Sequence, residues 1–389
     1  MTDRNTVSVR RQEDYEQSSV ERHVYEMLDA LGVDKDLKAD TRVLIKPNLL
    51  AARSPETAAT THPAVLLAAV RYVKAHGVKS ITVADSPGGM YTAALLKKTY
   101  TVCGLNILEN DAVLNTDTSA GERNGFTLIR PVLEADYIIN CAKLKTHGLA
   151  VMTAGVKNLF GCIPGLKKPE VHCVKSTADS FAEYLIRLCD EVKCDVTLLD
   201  AVECMEGNGP GGGTVKHGGY LMASRSPYAL DERAAYFMGI LPDMVPVLRA
   251  AGKAGRMPGK AVTEGDELIP SDPPFVLPDA VLKQGSRFSF MHLFRRACGR
   301  GQAFPEVDRE KCIGCGRCAE SCPRHLIEIR DRKAVMKRRG CISCFCCQEM
   351  CCDIFYCEIC FQLIVNKHNY FINCMMSALG GHIIRLYSG

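Results

Sequence analysis

No run in this 389-residue chain reaches 18 apolar residues, so a membrane-spanning helix is not expected. The N-terminus, MTDRNTVSVRRQEDYEQ, lacks the apolar segment of an export signal. The one long glycine-rich loop, residues 206–213, is followed by no Gly-Lys-Ser/Thr and lacks the strand-to-helix context of a dinucleotide fingerprint. Nucleotide binding by either route is therefore not indicated. Cysteine is scarce over the first 297 residues, which hold seven, whereas 14 lie from Cys298 onward. A hydrophobic content of 47% and a charged content of 24% are those of a soluble globular protein. The length suits one large or two ordinary domains. With neither export nor membrane signal, the expected setting is a reducing cytoplasm.

The late cysteines are ordered. Cys312, Cys315, Cys318 and Cys322 recur 29 positions later as Cys341, Cys344, Cys347 and Cys351. Both runs read Cys-x2-Cys-x2-Cys-x3-Cys, which marks a duplicated unit. Structural zinc uses two separated Cys-x2-Cys pairs and has no need of the fourth cysteine. A disulfide framework needs an oxidising compartment. The spacing instead suits two [4Fe–4S] clusters, because the fourth cysteine of each run ligates the cluster of the other. One cluster is thus assigned to Cys312, Cys315, Cys318 and Cys351, the other to Cys341, Cys344, Cys347 and Cys322.

Upstream, residues 1–40 read as a polar lead-in with an amphipathic helix from Val20 to Leu31, ended by Gly32. Strands are expected at 42–46, 80–85, 136–140 and 195–200. Helices are expected from Pro63 toward Gly77 (with Thr61 as its cap), 93–100, 177–192 and 230–238. This alternation predicts an α/β fold with a mostly parallel sheet and flanking helices, followed by a small α+β ferredoxin-like domain. The α/β domain is placed at 41–290, its Gly252–Phe288 end reading as a linker. The cluster domain is placed at 303–352, and an atypical apolar tail at 353–389.

Ligands of open α/β sheets bind beyond the carboxyl ends of the strands. Those ends carry Lys46 and Asn48; Asp85 and Ser86; Asn140, Lys143, Lys145 and His147; and Asp200 with Glu203 and Glu206. As a set they point to a cleft for a small anion, with carboxylates or histidine as proton carriers. Taken singly, each is more often a capping or ion-paired residue. Two glycine-punctuated loops, 155–165 with Lys157 and Asn158, and 206–213, offer further backbone donors. Between Met291 and Gly340, 13 Lys/Arg face six Asp/Glu. That excess is a solvated face offsetting anionic clusters, or a surface that steers an acidic electron-transfer partner. No nucleic-acid reading motif accompanies it.

Lys46-Pro-Asn48, Thr60-Thr-His-Pro63, Asp85-Ser-Pro-Gly-Gly89, Lys143-Leu-Lys-Thr-His147, Gly155-Val-Lys-Asn158 and Glu206-Gly-Asn-Gly-Pro210 together resemble the DUF362 family of prokaryotic proteins. That family often carries a C-terminal two-cluster ferredoxin module, so the resemblance implies an iron–sulfur protein but supplies no substrate. Carried onto this chain, it marks Lys46, Asp85, Lys143, His147, Lys157, Asn158, Asp200 and Glu206. The chain departs from the pattern after Cys351, where Cys352 replaces the proline and an apolar tail replaces a short strand. The expected function is electron movement to or from a small anion. Asp85, His147 or Asp200 would carry protons, and Lys46, Asn48, Lys143, Lys145, Lys157, Asn158 and Glu206 would bind. The alternative is a non-catalytic carrier whose α/β domain docks a partner protein.

Overall fold

The computed structural model describes residues 4–89, 91–165, 167–282, 303–342, 344–350 and 355–359. At its centre is β7 (Tyr137–His147), in which every residue is buried. A strand covered on both faces is what a parallel sheet flanked by helices requires. Parallel to it lie β2 (Arg42–Lys46) and β9 (Val196–Glu206), and beyond β2 come β3 (Ser80–Val83) and β4 (Val113–Leu114). On the far side of β9, β10 (Thr214–Ser224) is antiparallel to both β9 and β1 (Thr6–Arg11), and β11 (Val262–Gly265) closes that edge parallel to β1. The sheet order is β11-β1-β10-β9-β7-β2-β3-β4, and β8 (Val151–Thr153) folds back along β7. A separate hairpin pairs β5 (Ala120–Arg123) with β6 (Phe126–Ile129).

Successive strand residues feed opposite cores, as the two-residue repeat of a strand dictates. Val43, Ile45, Ile139, Cys141 and Leu198 pack with α1 (Gln17–Ala30), α2 (Pro63–Ala75) and α3 (Ala93–Val102). Leu44, Ile138, Ala142 and Leu199 face the other layer, built on α7 (Ala178–Val192), α8 (Pro227–Met238) and α9 (Pro246–Lys253). The remaining short helices are α4 (Arg130–Glu134), α5 (Gly155–Asn158), α6 (Lys167–Val174) and α10 (Asp279–Leu282).

Several expectations are corrected. The polar lead-in holds β1, whose Val7 and Val9 are buried in the sheet. β7 and β9 run on well past Asn140 and Asp200, so Lys143, Lys145, His147, Glu203 and Glu206 lie within strands. The presumed linker supplies β11. The loop at 155–165 begins with α5 and a short 3-10 turn, Leu159–Cys162. His62, not Thr61, caps α2: its ring accepts the Ala64 N–H, while Thr61 Oγ1 donates to the Cys141 carbonyl.

In the cysteine segment, β12 (Ala303–Val307) pairs antiparallel with β15 (Phe355–Ile359), and β13 (Ile327–Arg330) with β14 (Lys333–Met336). The cysteine runs carry α11 (Arg317–Glu320) and α12 (Cys346–Met350). A strand therefore does follow the second run, despite the departure from Cys-Pro. Cys351, residues 283–302 and the tail from 360 onward lie outside the described residues.

Candidate functional site between the sheet and the cysteine segment

Lys46 ends β2 fully buried, and its ammonium donates to Asp85 Oδ1 at 2.8 Å and to the Pro47 carbonyl at 2.7 Å. Asp85 Oδ2 accepts the Leu49 N–H at 2.7 Å. A Cβ at Gly161 would lie 2.0 Å from Asp85 Oδ1, so only glycine lets this turn close over the pair. Lys145, also fully buried, donates to Asn48 Oδ1 at 2.9 Å and to the Ala59 carbonyl at 2.7 Å. Asn158 joins the two arms: its Oδ1 accepts from Asn48 at 2.8 Å, and its amide donates to Asn140 Oδ1 at 2.9 Å.

These groups back onto a cavity of about 80 Å³. Asn48, Asp85, Lys145, Lys157 and Asn158 all line it, together with Ser321, Cys346 and Met350 of the cysteine segment. Lys157 sits 5.0 Å from the centre of the Phe160 ring, and Lys168 donates to the Ser86 carbonyl. Sequence reasoning missed Thr153, Lys168 and the three residues of the cysteine segment as lining groups. Ser86 it noted only as a strand end. Thr153 follows a left-handed Val151 (φ 69°), which turns β8 back along β7. Such a backbone costs about 1–3 kcal/mol and tends to occur at functional sites.

Lys143, His147, Asp200 and Glu206 are not on that cavity wall. Lys143 donates to Asp200 Oδ2 at 2.9 Å and to the Tyr15 hydroxyl at 2.8 Å, and that hydroxyl donates to Asp200 Oδ1 at 2.8 Å. The His62 N–H at 2.9 Å and the Val202 N–H at 3.3 Å also donate to the carboxylate. Burial and the adjacent Asp200 push the Tyr15 phenol up, while burial lowers the stacked His62 to about 4. The network is closed and ties the N-terminal segment to α2, β7 and β9. His147 Nδ1 accepts the Leu149 and Ala150 N–H groups in the turn into β8. Glu206 faces Lys216 at 3.4 Å and accepts the Val276 N–H.

The backbone donors expected at 155–165 are also engaged, since the Gly155 and Val156 N–H groups go to Asp231 at 2.6 and 3.2 Å. Burial raises the Asp231 carboxyl to about 7, against the lowering effect of those bonds. It raises Asp195 to about 6 in the same way. A carboxyl raised in the folded chain stabilises it fully below its unfolded pKa, and that contribution is lost as pH rises through the folded value. Stability is therefore expected to fall between about pH 4 and 7. Asp231→Asn should flatten part of that slope in chemical unfolding curves across this window.

In the cysteine segment, Cys312, Cys318 and Cys347 are buried together, with Cys322 packed against them. Backbone N–H groups point at sulfur, Ala334 to Cys312 Sγ at 3.2 Å and Leu326 to Cys322 Sγ at 3.4 Å. Burial pushes the Cys347 thiol up, and Cys344, Cys341, Cys322 and Cys318 add to this as near neighbours. Burial likewise raises Cys318 to about 11, with Cys315 and Cys312 close by. Cys347 thus has cysteines of both runs as neighbours, Cys312 and Cys318 included. Among the described residues no three His, Cys, Asp or Glu side chains converge on a single ion. A cubane makes no such demand, because its thiolates bind separate irons. The donor set fits the cluster type. The Cys173 thiol of α6 donates to the Pro323 carbonyl of the cysteine segment at 3.5 Å.

Comparison with known proteins matches residues 43–236 to "Domain of unknown function (DUF362)" and residues 304–327 to "4Fe-4S binding domain". The chain is 30% identical over 306 residues to the "Thylakoid-associated protein sll1697" of Synechocystis sp., covering 75% of this chain and 95% of that one. Over 29 residues it is 52% identical to "Ferredoxin-2" of Desulfomicrobium norvegicum, covering 8% of this chain and 49% of the ferredoxin. Among solved structures, the lactate racemase apoprotein of Thermoanaerobacterium thermosaccharolyticum aligns at a TM-score of 0.38 and 15% identity. That alignment covers 60% of this chain and 57% of the racemase.

Proposed function

Because the chain belongs to the DUF362 family and carries a 4Fe-4S binding domain, we propose that it is an iron–sulfur redox protein acting on a small anion held at the strand ends. Cys322, Cys341, Cys344 and Cys347 would hold one [4Fe–4S] cluster, and Cys312, Cys315, Cys318 and Cys351 the second. Bound clusters supply one-electron storage. The chain's own residues do the rest. Lys145 and Lys157 attract and orient the anion, Asn48 and Asn158 fix the lysine and the cavity floor, and Asp85 is the carboxylate placed to hold or pass a proton. Lys143 and Asp200 serve stability, and His147 and Glu206 shape the adjoining turns.

One observation carries this reading. The cavity is lined both by strand-end residues and by Ser321, Cys346 and Met350 of the cysteine segment. Two of these directly precede the assigned ligands Cys322 and Cys347. Lys145→Met is expected to leave iron content unchanged while lowering anion affinity at least about tenfold, the loss of one charge-assisted hydrogen bond. Anaerobic iron assay and calorimetry check both parts. Unchanged affinity would remove Lys145 from the site.

The alternative, a carrier that docks a partner protein, is favoured by a different feature. Cys315 is exposed and the neighbouring Ile313 is 68% exposed, an apolar contact beside a cluster ligand. Nearby basic residues are partly spent on local pairs, Arg338 with Glu306 and both Arg330 and Lys337 with Glu328. What remains suits an acidic electron-transfer partner. No helix among the described residues is long and apolar enough to cross a membrane. A reducing cytoplasm suits the thiolate ligands, and we place the protein there.

A further inference from the structure

The duplication lets the two cysteine runs be compared position by position, and they differ where the ligand loops turn. Gly316 and Phe345 occupy the same place, 29 positions apart, each directly after the second cysteine of its run. Both are left-handed, Gly316 at φ 83° and Phe345 at φ 60°. Glycine adopts that conformation freely, whereas a bulky side chain there is an outlier. In the first run the turn is open. Cys315 is exposed, and a Cβ at Gly316 would meet nothing within 4 Å among the described residues. The second run keeps a phenylalanine in a turn that glycine would suit better.

Packing accounts for the exchange. Phe345 is 4% exposed and packs on Ala280 of α10. A Cβ at Gly148, in the turn from β7 into β8, would lie 3.9 Å from the ring's Cγ. The next residue, Cys346, lines the cavity. Met350, at the end of α12, fills the space over Gly88, where a Cβ would sit 2.7 Å from Met350 Sδ. The second run is thus the one that leans on the strand ends. Cys344 and Cys347, which bracket Phe345, are both buried. An apolar side chain at this spot keeps water from their thiolates, and the dielectric around a cluster governs its potential. Backbone strain of this kind persists where the surrounding packing over-determines it.

We propose that Phe345 is a positioning residue whose ring seats the Cys344–Cys347 turn against Gly148 and Ala280 and keeps water from the cluster assigned to Cys322, Cys341, Cys344 and Cys347. That sets the potential of this cluster apart from its twin's. The role rests on the two-cluster reading above. Reduction adds negative charge, which dry surroundings disfavour and water accepts. Phe345→Gly suits the left-handed backbone and leaves every assigned ligand in place. Its iron content should match the parent's, while one of the two midpoint potentials rises. Gly148→Val, which pushes on the ring from the other side, should raise the same potential. Phe345→Leu keeps an apolar side chain and should hold both potentials near the parent's. The measurement is potentiometric titration of the anaerobically reconstituted full chains, followed by electron paramagnetic resonance, beside an iron assay. Unchanged potentials in Phe345→Gly at full iron overturn the role and leave the two clusters standing, as does an equal shift of both. Loss of iron from Phe345→Gly or Phe345→Leu would make the ring part of cluster assembly and overturn it too. A parent chain without two reducible clusters overturns the two-cluster reading and this role with it.

Discussion

Cys347→Ser should reduce the iron content of the anaerobically reconstituted chain by roughly half, while Cys346→Ser should leave it unchanged. The two residues are adjacent and both buried, so a general effect on folding would strike them alike. The spacing separates them. Cys347 is the third cysteine of its run and lies among Cys344, Cys341, Cys322 and Cys318, whereas Cys346 falls outside the repeat and lines the cavity. Serine keeps the size but replaces a soft thiolate with a hydroxyl that binds iron poorly. The cluster on Cys312, Cys315 and Cys318 should survive, because its ligands come from the other run and from Cys351. Iron and acid-labile sulfide per chain are the measurements. Equal loss in both variants would contradict the ligand assignment.

Asp200→Asn should destabilise the chain by about 3–5 kcal/mol, because it strands the Lys143 ammonium in a fully buried position. The Tyr15 hydroxyl and the His62 N–H lose their charged acceptor in the same step. A Lys143→Met/Asp200→Asn double variant should recover part of that loss, since partners in one network are coupled rather than additive. Chemical unfolding of the single and double variants gives the coupling directly. Full stability in Asp200→Asn with loss of anion binding would return Asp200 to the functional site.

The sheet was legible where the two-residue repeat and helix punctuation were strong. β2 was read to the residue, and α7 was read one residue early at Thr177, whose side chain caps it. The misreadings share a cause. β7 was ended at Asn140 because lysine and histidine do not normally sit in a buried strand. Here Lys143 and Lys145 do, one paired with Asp200 and the other held by Asn48 and the Ala59 carbonyl. Once that is seen, the alternation of Lys143, Lys145 and His147 continues the strand. β1 was missed because its polar residues flank only two buried valines, and its partner β10 lies more than 200 residues away.

The site was legible as a set of strand ends but not as a partition. Nothing in the sequence distinguishes Lys145, which reaches the cavity, from Lys143, which closes on Asp200 and Tyr15. The rest of the lining was illegible for a different reason. Ser321, Cys346 and Met350 gain their role only from the docking of the cysteine segment against the sheet. Local pattern carries no signal for that contact.

The central claim is that two clusters serve a site at the strand ends, and anaerobic reconstitution with a metal count tests it most directly. The account predicts about eight irons per chain, with a visible absorption band that bleaches on reduction. About four irons would leave a single cluster, and a count near zero with bound zinc would contradict the account altogether.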